Sequence, residues 1–109
     1  MLPRRLERLP LVTLSDRAVL HEANSFWSRL LGLAFLRDLP TGHALFIPDC
    51  RSVHTFGMRF AIDVAFLDER GRVIRVERAV ERRRVLRCRG AFAVVEARAG
   101  EIERFASVG

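Results

Sequence analysis

Cys50, His54, Arg59 and Asp63 place a thiol, an imidazole, a guanidinium and a carboxylate within one short stretch, CRSVHTFGMRFAID. A Cys-x-x-x-His spacing could turn a thiolate and an imidazole toward one metal ion, or set a nucleophile beside its base. Two ligands do not complete a tetrahedral zinc site. Asp63, His43, His21 or Cys88 would have to supply the rest, and no second short ligand pair is present to recruit them. Nothing in the sequence marks an orienting group or an oxyanion hole for a cysteine nucleophile. The reading is therefore no metal and no cofactor, with a buried Cys50 and a His54 that spans a loop by hydrogen bonds as the structural alternative. Asp63 sits mid-strand between Ala61 and Ala65, where a partly buried carboxylate must find donors or a cation. Its structural reading is an ion pair with Arg29 or Arg59, or a cap on nearby backbone amides.

A second set of candidates is cationic. All 19 basic residues are Arg, against 13 acidic ones, for a formal net charge of +6. The segment from Arg70 to Arg89 carries the whole excess: nine Arg face only Glu77 and Glu81. Arg72, Arg75, Arg82, Arg83, Arg84, Arg87 and Arg89 are the candidates for meeting phosphates or an acidic partner, because neighbouring guanidinium groups gain affinity by releasing counterions. Sequence-specific readout is not implied: there is no Tyr, and no recognition-helix pattern is present. A chain without Lys also uses Arg as its default surface cation, so this charge serves solubility as readily as recognition. P-loop and dinucleotide fingerprints are absent, which leaves nucleotide-dependent chemistry without support.

The elements that must position these residues follow from pattern. A length of 109 residues suits one domain with a single core, read here as 1–109. Leu9 to Leu14 and Ala18 to Glu22 read as paired strands across Ser15-Asp16-Arg17. Asn24 or Ser25 can cap a short helix over 25–35, with Phe26, Leu30 and Leu33 on one face and Trp27 as an anchor. Ala44 to Ile47 reads as a strand stopped by Pro48. From Met58 the period becomes two: Met58, Phe60, Ile62, Val64 and Phe66 share an apolar face that must be core. Asp68-Glu69-Arg70-Gly71 turns that strand into Val73, Ile74 and Val76 as a hairpin. Ala91 to Ala97 gives another strand, and Glu101 to Phe105 one helical turn. The fold class is α+β, mainly β: a compact antiparallel sheet of six or seven strands, barrel-like, with one short helix packed on it.

The run SVHTFGMRFAIDVAFLDERGRVI, with RLLGLAF and ALFIPDC before it and VVEARAG after it, resembles the domain of unknown function 192 family. The resemblance covers about 19–105. Members commonly show an Arg-x-x-Gly-Leu helix, an approach to an Ile-Asp or Leu-Asp strand, a Gly turn and a final Glu-x-x-Ala-Gly. Arg29, Gly32, Leu33, Asp63, Gly71, Glu96 and Gly100 fill those positions. Ala61 stands where a Pro is usual, and relatives tend to continue past Gly109 through a Gly-Asp into a last strand. The resemblance implies a small β-rich domain of unestablished biochemistry.

The function expected is that of a small soluble binding or accessory module, more a binder than an enzyme. Its ligand, polar or anionic, would meet Cys50, His54, Arg59 and Asp63. The alternatives are a nucleic-acid or acidic-partner adaptor acting through residues 70–89, and a metal-assisted or hydrolytic enzyme at Cys50, His54 and Asp63. No apolar run is long enough to span a membrane. The N-terminal MLPRRLERLPLVTL has no cleavage-site pattern, and Cys50 and Cys88 are read as free thiols, so the expected location is the cytoplasm and the expected state a monomer or dimer.

Overall fold

A computed structural model describes residues 2–15 and 18–106. Its main sheet has six strands: β1 (Leu11–Ser15), β2 (Ala18–Glu22), β3 (His43–Pro48), β5 (Ile62–Leu67), β6 (Val73–Val80) and β8 (Ala93–Arg98), in the spatial order β1-β2-β3-β8-β5-β6. The short β4 (Ser52–His54) and β7 (Val85–Arg87) pair separately as a two-stranded ribbon. Two helices, α1 (Arg4–Glu7) and α2 (Phe26–Leu31), and a 3-10 turn over Ile102–Arg104 complete the described elements.

The sheet is mixed and open, which corrects the expected antiparallel, barrel-like arrangement. β2 and β3 run parallel, because α2 and the loop after it carry the chain back across before β3 begins. β1 and β6 occupy opposite edges, so the sheet does not close on itself. The predicted β1–β2 and β5–β6 pairs are present, although the predicted turn at 15–17 lies partly outside the described residues.

Local chemistry explains the element ends. Ser25 caps α2 by accepting from the Ser28 amide, while the Ser28 hydroxyl accepts from the Ser25 amide. The helix stops at Leu31, short of the predicted Phe35, because Gly32 turns away with φ +55 and ψ −129. β5 begins at Ile62 and not at Met58. A tight turn in which the Met58 amide donates to the Thr55 carbonyl breaks the ladder, yet Met58 still faces the core.

Both sheet faces are covered. Leu45, Ile47, Ile62, Val64, Phe66 and Val94 point to one side, where Val53 and Leu86 of the ribbon and Leu33, Leu36 and Leu39 after α2 pack on them. Ala44, Ala65, Val95 and Ala97 point to the other, under Ile102, Phe105 and Ala106. β5 and β8 are thereby buried on both faces, so the polar residues among them, Asp63 and Glu96, must be satisfied inside the protein.

Candidate functional site

Asp63 and Glu96 are neighbours in the sheet but serve opposite faces: Val64 pairs with Glu96, and Asp63 with Ala97. Asp63 is 1% exposed. One of its oxygens accepts from the Ala79 amide at 2.9 Å, and the other from the Gly100 amide at 2.9 Å and the Ile102 amide at 3.4 Å. Ala79 stands where β6 bulges opposite Asp63, and its φ is +48. The carboxylate thus ties the bulge to the turn that launches the 3-10 segment. Neither Arg29 nor Arg59 pairs with it; the backbone-capping arrangement is the one present.

Glu96 faces the other way, toward α2. Its Oε1 accepts from the Leu33 amide at 3.1 Å, and Gly32 passes so close that a Cβ there would stand 2.6 Å from the same oxygen. Arg5 reaches in from α1 and donates to the carbonyls of Gly32 and Ala34 at 2.6 and 2.8 Å. Burial pushes the Glu96 carboxyl up to about 7, against the Leu33 hydrogen bond and the attraction of Arg5, which makes no ion-pair contact with it. Between pH 4.5 and about 7 the folded protein therefore holds a proton that the unfolded chain releases, so stability falls as pH rises through that window. Glu96→Gln keeps an acceptor for Leu33 and should flatten the fall, a difference on the order of 3 kcal/mol between pH 5 and 8. Urea unfolding of both proteins across that range checks it; parallel pH profiles would contradict it.

Beside Glu96 a cleft of about 180 Å³ opens between the end of α2 and the ribbon, lined by Arg29, Leu30, Ser52, His54, Val85 and Glu96 among others. His54 faces Val85 across the ribbon. Its Nε2 lies 2.8 Å from the Leu30 carbonyl and must carry the proton, since a carbonyl only accepts. The other ring nitrogen, Nδ1, is buried with no hydrogen-bond partner. Arg29 leans on the Asp49 carbonyl through one nitrogen and forms no ion pair among the described residues. Leu30 and Val85, each about half exposed, give the cleft an apolar rim, and the Phe56 ring stands 6.1 Å from the His54 ring.

The remaining sequence candidates are scattered. The Cys50 thiol donates to the Ser52 carbonyl, and burial pushes its pKa up, the opposite of an activated nucleophile. Cys50 and His54 make no hydrogen bond with each other. His21 and His43 instead pair with each other, Nε2 to Nδ1 at 2.9 Å, on β2 and β3. Among the described residues no three His, Cys, Asp or Glu side chains come together to hold a metal. Arg59 lies with Phe60 and Arg82 around an open hollow of about 490 Å³, away from His54. Of the segment's other cations, Arg72 pairs with Asp68 and Arg75 with Glu77, whereas Arg82, Arg83, Arg84, Arg87 and Arg89 are exposed with no ion pair among the described residues. Among the cleft residues Ser52 carries no sequence signal, and Arg29 and Glu96 stand out in the sequence only as family positions, Arg29 also as a possible partner of Asp63. Glu96 and Gly32 were visible as separate family positions, without a signal that they touch.

A model of the domain of unknown function 192 family, described as Uncharacterized ACR, matches residues 13–108. Nothing matches among curated proteins. Two solved structures share the fold. A protein of unknown function from Novosphingobium aromaticivorans is 20% identical with a TM-score of 0.69, over 86% of this chain and 74% of that one. A protein from Sinorhizobium meliloti, proposed to be a transcription regulator, is 21% identical with a TM-score of 0.72, over 91% of this chain and 85% of that one.

Proposed function

The chain belongs to the domain of unknown function 192 family, whose biochemistry is uncharacterised, and from that premise we propose that it is a small binding domain whose ligand enters the His54 cleft. The observation that carries this reading is that His54, whose buried Nδ1 has no hydrogen-bond partner, lines a cleft together with Arg29. The neutral ring offers Nδ1 as an acceptor, and a protonated ring offers it as a donor. A small oxyanion that keeps an O–H, such as hydrogen phosphate or a hydroxy acid, pairs with the Arg29 guanidinium and, once the His54 ring shifts to expose it, with Nδ1. At roughly 30 Å³ per water the cleft has room for about six waters, the scale of such a ligand. The site rests on His54 with Arg29 and Glu96, while Cys50 flanks it and Asp63 supports the fold behind it. The domain is read as cofactor-free and as a monomer or dimer, and two free cysteines fit a reducing, cytoplasmic setting.

Inorganic phosphate is the first test compound. It should raise the melting temperature of the protein saturably, and His54→Ala or Arg29→Gln should weaken that effect at least about tenfold while the variants stay folded. Equal stabilisation of the variants would sink the reading. Because ionised Glu96 repels an anion, affinity should also fall as pH rises through about 7.

A second reading is favoured by one observation, the five exposed and unpaired Arg between Arg82 and Arg89. It is an adaptor for nucleic acid or an acidic partner, and it is in keeping with the description of the Sinorhizobium meliloti protein. If all five meet phosphates, affinity for a short single-stranded DNA should fall about a hundredfold between roughly 50 and 200 mM salt. Salt-insensitive binding would contradict it.

A further inference from the structure

A second cavity, of about 390 Å³, borders α2 between that helix and α1, and is lined by Arg4, Arg5, Arg8, Leu9, Trp27 and Leu31 along with Ser25 and Ser28. Three guanidinium groups share it, and no carboxylate is among its lining residues. Arg5 is fixed by its bonds to the Gly32 and Ala34 carbonyls. Arg4 and Arg8 are exposed and make no ion pair among the described residues, so their guanidinium groups are free to meet an anion. The rest of the lining is mainly apolar: Leu9 and Leu31 form one wall, and Trp27 presents an indole that is 66% exposed. Cations gathered beside an apolar wall and an aromatic face match a molecule that is charged at one end and greasy at the other.

We propose that this cavity binds an amphipathic organic anion, a phosphate or carboxylate head on an apolar chain or ring. The head sits between Arg4 and Arg8, and the body lies along Leu9, Leu31 and the Trp27 indole. The site adjoins the His54 cleft through Leu31 but shares none of its polar residues, it lies apart from the arginine run at 70–89, and its existence does not depend on either reading.

Trp27 is the single tryptophan of the chain and lines this cavity, so its emission reports on the surroundings of one residue of the site. Octyl phosphate, kept below micelle-forming concentration, should change that emission saturably at one equivalent per chain. Inorganic phosphate and octyl glucoside, each holding half of the chemistry, should bind at least about tenfold more weakly. The double variant Arg4→Ala/Arg8→Ala should lose at least about tenfold in octyl phosphate affinity, whereas Arg37→Ala/Arg70→Ala, with the same change in net charge, should not. Two results would overturn the proposal: octyl phosphate binding that is unchanged by Arg4→Ala/Arg8→Ala, or an emission change given by anionic phospholipid vesicles but by no soluble amphiphile. The second would assign the arginines to a membrane surface and not to a cavity ligand.

Discussion

Replacing Asp63 by Asn should destabilise the protein by about 3–5 kcal/mol, and by Ala at least as much. The carboxylate accepts from Ala79, Gly100 and Ile102, with one oxygen for the β6 bulge and the other for the turn after β8. Asn keeps one acceptor and turns an NH2 toward amides that already donate, so one of the two attachments is lost whichever way the group is oriented. Of the three donors, Ile102 is fully buried at 0% exposed, so an orphaned amide there loses its partner without gaining water. Ala79 and Gly100 are exposed residues whose attachment to the buried carboxylate is what holds the bulge and the turn in place. Since a domain of this size is stable by about 5–15 kcal/mol in all, the loss should lower the melting temperature by about 10 °C or more. Thermal and urea unfolding of Asp63→Asn measure it directly. A change below about 1 kcal/mol would mean that the three amides find other partners, and would return Asp63 to the candidates for ligand contact.

Gly32→Ala is the second large effect, with an expected cost of about 3 kcal/mol. The φ of +55 with ψ −129 is a conformation that side-chain-bearing residues rarely adopt, and the added Cβ would stand 2.6 Å from Glu96 Oε1. The carboxyl group would have to move, breaking its bond to the Leu33 amide and disturbing the floor of the cleft. A double-mutant cycle separates the two causes. In a Glu96→Ala background the clash is gone and only the backbone cost remains, so the coupling between the two positions should exceed about 1 kcal/mol. Additive effects would show that the glycine is needed for its backbone alone.

These two residues show what the sequence makes legible. The period-two run into Asp63, the glycine-ended turn at Asp68 to Gly71 and the serine cap of α2 are local signals, and each produced the predicted element. The parallel β2–β3 pair, the open edges and the β4–β7 ribbon depend on contacts between distant segments. Three-residue strands such as Ser52–His54 carry too little pattern to be seen. Met58 and Phe60 illustrate the overlap: the alternation assigned them to the right face, but a turn places them there in place of a strand. The candidate site divides along the same line. His54 could be singled out by residue type, whereas Glu96 and Arg29 reach it only because β8 crosses beneath α2. Arg59 and Asp63 were close to His54 in sequence, yet the fold sends one to the arginine-rich corner and the other to the opposite face of the sheet. Arg4 opens α1 and Arg8 caps its C-terminal end, on a helix too short to announce itself by periodicity.

Occupation of the His54 cleft by an oxyanion is visible to nuclear magnetic resonance. The imidazole signals of all three histidines and the side-chain signals of Arg29 would be followed as inorganic phosphate is added at constant ionic strength. Saturable shifts are expected at His54 Nδ1 and at the Arg29 guanidinium, reporting one affinity, with His21 and His43 unmoved. If His54 and Arg29 stay still while the arginines at 82–89 respond, the cleft is not the binding site and the basic surface is.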